Sequence, residues 1–322
     1  MSVPHVASSP EIEHALETQI EPWLAHMRWR ADFADWKQKR LWQENYQRDA
    51  LDEVRAMETR FLGENGFPSH ARVLDLGAGM GGFAVAMHRA GESIIAFDYN
   101  FAYCEIARTR ARRYALNLPV LVGAGEALPF AAKSFQIVTC WDVLEHVQEP
   151  EQLLHEIARV LDDDGLAFMT VINRFALVDP HYHLRFVNYL PRALGEKYIA
   201  WRQRTKNSEL RDKQKLSEMH YFTYPAFETF AAQFGFRVHD VQRAHSRFQN
   251  YPRPIGDILY DSWRALGMGT YRLVLQKKRL TPSPSPEKRC ETRFAMFSGE
   301  GSSRLPSPKN FARKIFRRGA GG

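Results

Sequence analysis

The sequence predicts an α/β protein built on a doubly wound, mostly parallel sheet. Between residues 72 and 172, short apolar strands alternate with helical segments, which is typical of a parallel sheet with helices on both faces. A glycine-rich turn at residues 77–82 joins the first strand to a helix. The chain has 322 residues, of which 44% are hydrophobic and 25% charged, so it has ample material for a buried core.

The first 66 residues are predicted to form a helical extension. Ser9 and Pro10 have the residue types of a helix start. A longer helical stretch, about residues 31–62, contains no internal glycine or proline. Trp29, Phe33 and Trp36 recur on one face of it. We expect this face to pack on the main domain, and a lid over an active site is the alternative.

The main domain is predicted to cover residues 67–278. Strands are predicted at residues 72–76, 93–97, 120–122, 136–140 and 166–172, and later at 236–241 and 270–276. Helices are predicted at 82–89, 103–114, 150–161 and 225–234. Asp162–Gly165 is predicted to be a turn before the fifth strand. A proline-containing connection is expected between the last two strands.

Residues 173–217 are predicted to be an ordered, helical insertion on the substrate side, after the fifth strand. A long insertion in a compact domain is often a binding element, and the aromatic residues of this one favour order. Four arginines in it would suit an acceptor that carries a phosphate or a carboxylate, and helix-face solvation is their other explanation: Arg174, Arg185, Arg192 and Arg202.

The positive charge is concentrated in residues 279–322, a Pro/Ser-rich tail that we predict to be disordered. Of the formal net charge of +7, residues 281–322 carry +6, from nine basic and three acidic residues. A nearly neutral body makes nucleic acid an improbable partner, whereas the tail could make weak peripheral contact with an anionic membrane. Three distant cysteines, no bilayer-length apolar run and no secretory signal in the first ten residues favour a cytoplasmic protein.

The glycine turn and two acids predict a nucleoside-like cofactor. Gly77, Gly79 and Gly82 satisfy the G-x-G-x-x-G spacing, which admits a dinucleotide or another adenosyl ligand. Asp98 ends the second strand, where a carboxylate can accept hydrogen bonds from ribose hydroxyls, or else cap a helix. Asp75 lies in the apolar end of the first strand, where burial is costly unless a cation or hydrogen bonds compensate. A ligand with an ammonium and a sulfonium would suit Asp75 better than a pyrophosphate.

Taken together, these segments resemble a class I S-adenosylmethionine-dependent methyltransferase. The resemblance covers about residues 70–175 and is closest to the group of ubiquinone- and menaquinone-pathway methyltransferases and small-molecule O-methyltransferases. It rests on D-x-G-x-G-x-G at 75–81, Asp98, G-E-A-L-P-F at 125–130, S-F-Q-I-V at 134–138 and D-V-L-E-H-V at 142–147.

The resemblance implies a Rossmann-like seven-stranded sheet of order 3-2-1-4-5-7-6 with the last strand antiparallel. It implies S-adenosylmethionine as cofactor, bound by Asp75, the Gly77–Ala78–Gly79 backbone, Asp98 at the ribose, Tyr99 and Gly125–Glu126 at the adenine, and Trp141 at the methyl-donor end. Relatives usually have an acid for the adenine amino group where this chain has Ala124, so Glu126 or backbone groups would have to replace it.

Methyl transfer to a hydroxyl needs alignment, exclusion of water and a base. The candidate bases are His146, after the fourth strand, and His181 and His183 in the insertion; His220, Asp179 and Tyr221 are further alternatives. Asp142, Glu145 and His146 are similar to an E-x-x-E-H motif that holds a divalent ion in some relatives, with His181 or His183 to complete the set. The sequence does not favour a metal there.

We therefore predict a methyltransferase that acts on a small-molecule acceptor. The favoured acceptor group is a hydroxyl oxygen of a sugar, lipid-linked or aromatic compound. Two alternatives are open at this point. A non-catalytic relative could bind the cofactor and serve as a partner or scaffold, and a nicotinamide-dependent oxidoreductase agrees with the glycine spacing alone. The sequence does not indicate an oligomeric state.

Overall fold

A computed structural model describes residues 8–25, 31–44, 71–203, 214–243 and 246–277. The chain divides into two units, Met1–Arg279 and Leu280–Gly322, and all described residues belong to the first. The predicted tail at 279–322 lies outside the described residues, as does the predicted helix beyond residue 44.

Seven strands form one mixed sheet. They are β1 (Arg72–Leu76), β2 (Ser93–Asp98), β3 (Val120–Val122), β4 (Phe135–Cys140), β5 (Leu161–Ile172), β6 (Phe236–Asp240) and β7 (Thr270–Lys277). Their order is β3-β2-β1-β4-β5-β7-β6, and β7 is antiparallel to both of its neighbours. The predicted fold class and strand order are therefore confirmed, and six of the seven strands agree with their predicted bounds to within one residue.

The fifth strand differs from its prediction, because it begins at Leu161 and contains the predicted turn. Leu161 pairs with Phe135, and the next paired residues are Leu166 and Ile137, so the acidic residues between them form an irregularity within the ladder. Leu161 is fully buried in the core. Its burial holds the chain in the sheet before Asp162–Gly165, so the polar sequence distorts the strand instead of preceding it.

Eight α-helices are bounded in the described segments. They are α1 (Pro10–Leu24), α2 (Phe33–Leu41), α3 (Gly82–Arg89), α4 (Phe101–Arg112), α5 (Pro150–Val160), α6 (Arg192–Trp201), α7 (Tyr224–Gln233) and α8 (Arg253–Leu266). Three short 3-10 helices accompany them: Val187–Tyr189, Leu216–Glu218 and Arg247–Asn250. None of these helices is long and apolar enough to span a bilayer.

Helix α8 was not predicted, because its prolines were taken to mark an irregular connection. Pro252 immediately precedes the helix and Pro254 lies in its first turn. Proline is tolerated at those positions, since the first N–H groups of a helix have no partner within the helix. Tyr260 is buried beneath α8 and packs in the sheet core, which fixes the helix on the sheet.

The N-terminal helices pack on the outer face of α4. Leu16, Ile20 and Trp23 of α1 form a buried cluster with Ile106 of α4. Phe33 and Trp36 pack, partly buried, against this cluster in agreement with the predicted packing of the aromatic face, while Trp29 lies outside the described residues. Ser9 caps α1 by accepting a hydrogen bond from the Ile12 N–H, as its sequence predicted.

Candidate functional site

The glycine turn after β1 presents bare backbone to the end of the sheet. Gly77 and Gly79 have φ of +76° and +54°, a region that favours glycine. The N–H groups of Gly77 and Ala78 donate to the Phe97 carbonyl, which fixes the turn against β2. A Cβ on Gly77 would lie 2.1 Å from Val143 Cγ2, whereas one on Gly79 would meet no atom within 4 Å. The space above Gly79 is therefore open to a ligand.

Asp98 holds this turn from the end of β2. Its Oδ2 accepts the Gly79 N–H at 2.7 Å and its Oδ1 accepts the Asn100 N–H at 2.8 Å. The side chain is buried, and burial raises the pKa of Asp98 above its usual range. Asn100, not Asp98, caps α4 by accepting from the Tyr103 N–H, so the helix-cap alternative for Asp98 is wrong.

Asp75 is a buried acid with one oxygen available for a cation. Its exposed fraction is 2%, and the Thr139 hydroxyl on the neighbouring strand donates to Oδ1 at 2.8 Å. Oδ2 accepts no hydrogen bond from the described residues. Burial raises the pKa of Asp75 to about 7, which is what a carboxyl group without a counter-ion requires.

The predicted adenine edge lies at the ends of β2 and β3. Tyr99 is 64% exposed and so is available to cover a flat ligand. Gly125 is tightly packed, because a Cβ there would lie 2.7 Å from Leu153 Cδ1. One carboxylate oxygen of Glu126 accepts the Gln148 N–H at 3.1 Å, which ties this loop to the segment before α5.

The end of β4 is held to β5 by a hydroxyl. Asp142 has φ of +54°, and its N–H donates to Thr170 Oγ1 at 2.6 Å, while that hydroxyl donates to Asp142 Oδ1 at 2.9 Å. Beside it, the Trp141 ring packs edge-on against Phe83. The Trp141 Nε1 is buried and donates no hydrogen bond to a described residue.

Just beyond β4, one buried carboxylate lies beside two imidazoles. Glu145 is 1% exposed, and its Oε1 is 3.4 Å from His181 Nε2 and 3.8 Å from His146 Nε2. The two rings meet edge to face with their centroids 4.8 Å apart. The fold thus brings Glu145 and His146, from the loop after β4, next to His181 of the insertion. Glu145 and His181 are 36 positions apart in sequence.

Gln214 orients His146. The His146 Nδ1 lies 2.9 Å from Gln214 Oε1, while Gln214 Nε2 donates to the His146 carbonyl at 2.6 Å. With the amide oxygen facing the ring, Nδ1 carries the proton and Nε2, on the Glu145 side, holds the lone pair when the ring is neutral. No sequence pattern indicated Gln214, because its contact with His146 spans 68 residues.

Asp179 supports the insertion instead of facing an acceptor. It is fully buried, and its four hydrogen bonds come from the N–H groups of His181 and Tyr182, the Asn188 amide and the Tyr221 hydroxyl. Burial and the nearby Asp179 raise the pKa of Tyr221 well above its usual range. His183, on the same turn, is exposed and does not join the cluster of Glu145, His146 and His181.

Comparisons with known proteins agree with this geometry. A family model described as a methyltransferase domain matches residues 74–169. A ubiquinone biosynthesis O-methyltransferase from Hahella chejuensis is 31% identical over 178 residues, which are 53% of this chain and 72% of that protein. The chain belongs to the class I S-adenosylmethionine-dependent methyltransferases. The predicted family, reaction type and cofactor are thereby confirmed, and the oxidoreductase alternative is wrong.

Two further likenesses are weaker. A ubiquinone biosynthesis O-methyltransferase from Salmonella paratyphi A is 32% identical over 123 residues, and the chain spans about half of it (51%). The solved structure of a putative sarcosine dimethylglycine methyltransferase from Galdieria sulphuraria is 18% identical over 71% of this chain and 86% of that one, with a TM-score of 0.46. We draw no argument from this structural likeness, because the strand order already shows the fold.

Proposed function

We propose that this methyltransferase transfers the methyl group of S-adenosylmethionine to a hydroxyl oxygen of a small-molecule acceptor. The observation that carries the proposal is the buried Glu145 carboxylate beside the Nε2 atoms of His146 and His181, at the end of β4. The names of the similar proteins, which are O-methyltransferases of ubiquinone biosynthesis, support an aromatic hydroxyl as the acceptor group.

For the cofactor, we propose the arrangement that the resemblance implied. The methionine part would lie above Gly79, with its ammonium near Asp75 Oδ2, and the ribose hydroxyls would bond to Asp98. Tyr99, Gly125 and Glu126 would border the adenine. The open space above Gly79 and the available oxygen of Asp75 support this placement, and the side chain of Trp141 would close the methyl-donor end.

The imidazoles are the candidate bases. As the acceptor oxygen attacks the methyl carbon and the carbon–sulfur bond breaks, the hydroxyl proton moves to an imidazole nitrogen. S-adenosylhomocysteine and the methyl ether are then the products. The Glu145 carboxylate stabilises the resulting imidazolium, because the two groups are close and shielded from water. His183 is a weaker candidate, since it is exposed outside this cluster.

The same three side chains also fit a divalent cation. Their ligand atoms lie within 4.8 Å of one another, and a carboxylate with two imidazoles is a donor set that transition metals accept. When bound, such an ion would polarise the acceptor hydroxyl and lower its pKa. In that case Glu145, His146 and His181 would be its protein ligands and another group of the site would take the proton.

Methyl transfer from labelled cofactor to a panel of catechols, phenols and sugars tests the function. We expect a methyl ether product, and we expect His181→Asn and Glu145→Gln to lower kcat by about a hundredfold or more. Both variants should bind the cofactor as the wild-type protein does. The thermal shift with S-adenosylhomocysteine measures this binding. His183→Asn is the matched control, because the same substitution is made two residues away on an exposed side chain.

Each outcome has a definite meaning. Loss of activity with EDTA and recovery with Mg²⁺ or Zn²⁺ would assign the three side chains to a metal. Activity that EDTA does not affect would assign the imidazoles to proton transfer. Full activity of both variants would refute the role of the cluster, and cofactor binding without transfer to any acceptor would favour the non-catalytic alternative.

A further inference from the structure

Arg192, the first residue of α6, is a partly buried cation with no counter-ion among the described residues. Its Nη1 atom is buried and donates no hydrogen bond to any residue that the structure describes, and it forms no ion pair with a described carboxylate. Burial and the neighbouring charge of Arg174 lower its pKa, which reflects the same lack of compensation. Removing a charged group from water is unfavourable unless a hydrogen-bonded anion accompanies it.

The acid that influences Arg192 electrostatically is already hydrogen-bonded to other donors. Asp179 influences Arg192 electrostatically, but its two oxygens accept four hydrogen bonds from other groups. Arg192 instead lies over an aromatic ring, with its Cζ 4.7 Å from the centroid of Tyr221. This contact stabilises a cation weakly and does not occupy the Nη1 donor of the guanidinium.

The other arginines of the insertion are arranged differently. Arg174 donates to the carbonyl oxygens of Asn188 and Leu190, so it is engaged in holding the chain. Arg185 and Arg202 are exposed, and solvent can compensate their charge. Of the four arginines that the sequence indicated as anion ligands, only Arg192 has a buried donor atom that bonds to no described residue.

We propose that Arg192 binds an acidic group, a carboxylate or a phosphate, on the methyl acceptor. This inference rests on the proposed function and narrows its substrate class. The Tyr221 ring that contacts Arg192 also lies nearly parallel to the His181 ring, with their centroids 6.3 Å apart. Arg192 and the candidate base His181 are therefore neighbours of the same ring. A compact ring acceptor that carries both an acid and a hydroxyl can test whether one molecule uses both residues.

The test compares three ring acceptors that differ only in one substituent: 3,4-dihydroxybenzoate, 3,4-dihydroxyphenylphosphonate and 3,4-dihydroxybenzamide. Their binding to the protein saturated with S-adenosylhomocysteine is measured by calorimetry, and their kcat/KM by methyl transfer. We expect one or both acids to bind about tenfold to a hundredfold more tightly than the amide. The acid with the larger gain in affinity over the amide shows whether the site prefers a carboxylate or a phosphonate.

The variant Arg192→Met should remove this preference and leave amide binding within about threefold, while Arg192→Lys should retain part of it. Arg202→Met, an exposed arginine in the same helix region, should change nothing. Equal binding of amide and acids to the wild-type protein, or binding of none of them, would overturn the inference even if no variant folds. Acid binding through Arg192 without methyl transfer would refute the proposed function alone.

Discussion

At the scale of single residues, the site contains ionisable groups of both signs with buried atoms that bond to no described residue. Asp75 Oδ2 and Arg192 Nη1 are both buried, and neither hydrogen-bonds to a described residue. Buried polar groups in proteins are nearly always paired, so such exceptions indicate a ligand. One is an anion at the predicted cofactor end and the other is a cation in the insertion, which matches a cationic cofactor and an acidic acceptor.

The raised pKa of Asp75 predicts that the affinity for the cofactor depends on pH. Because its pKa is raised to about 7, the group is mostly protonated at pH 6 and mostly ionised at pH 8. A cationic ligand selects the ionised form, so affinity for S-adenosylmethionine should rise by about tenfold over this interval. Calorimetric titrations at several pH values measure the dependence.

The control is Asp75→Asn. The cofactor's own amino group titrates in the same range, and this variant supplies the dependence that comes from the cofactor alone. It should bind more weakly, with a shallower pH profile. Identical profiles for the variant and the wild-type protein would contradict the role of Asp75. Without ligand, the raised pKa also means that Asp75 costs stability as pH rises from about 4 to 7.

At the scale of elements, the sequence predicted most of the fold because the signals are local. Apolar runs located β1, β2, β3 and β4, and the capping residue Ser9 located the start of α1. The errors arose where a local signal has two meanings. Prolines before α8 start a helix as readily as they break one. The acids in β5 would form a turn if the burial of Leu161 did not hold the chain in the sheet.

The glycine turn gives a prediction at this scale. Gly77→Ala should place a Cβ against Val143 and force alanine to a φ of +76°. We expect a loss of about 2–4 kcal/mol in the free energy of unfolding and loss of cofactor binding. Urea unfolding and thermal shift with S-adenosylhomocysteine measure the two effects.

Two controls separate strain from steric overlap. Gly91→Ala has a similar φ of +92° but no neighbouring atom within 4 Å, so it should cost only about 1–2 kcal/mol. Adding Val143→Ala to Gly77→Ala should recover the steric part. Equal losses in the free energy of unfolding for Gly77→Ala and Gly91→Ala would show that overlap with Val143 contributes nothing to the destabilisation.

At the scale of the whole molecule, the described N-terminal helices are joined to the sheet domain by buried ion pairs. Glu44 pairs with Arg110 and Arg113, and all three side chains are at most 1% exposed. Burial opposes ionisation of Glu44, but Arg110, the Tyr114 hydroxyl and Arg113 together hold its pKa below the usual range. Arg110 also donates to the Met80 carbonyl of the glycine turn.

We predict that Glu44→Gln lowers the free energy of unfolding by about 3–5 kcal/mol, because two buried guanidinium groups lose their shared counter-ion. Because the pKa of Glu44 is lowered by folding, this stabilisation is present above pH 4.5 and is lost as pH falls through the folded value. Glu105→Gln, which breaks a partly exposed pair with Arg108 on α4, should cost no more than about 1 kcal/mol. Comparable losses would refute the importance of the buried pairs.

Long-range contacts explain why the site could be predicted only in part. His146 and His181 were indicated by residue type, and the fold brings them together. Thr139 and Gln214, by contrast, have no local signal, because each is defined by a partner more than 60 residues away. The domain bounds, the site roles of individual residues, the cytoplasmic location and the absence of nucleic acid stay predictions.

The bonds of Arg110 have a consequence for recombining this protein with its relatives. The same guanidinium reaches the carbonyl groups of Arg40 and Leu41 on one side and that of Met80 on the other. A chimera joined near residue 66 would combine an arginine from one parent with acids and carbonyl groups from another. Helix α4 and the segment that ends at Glu44 should therefore be inherited from the same parent, whichever parent supplies the insertion.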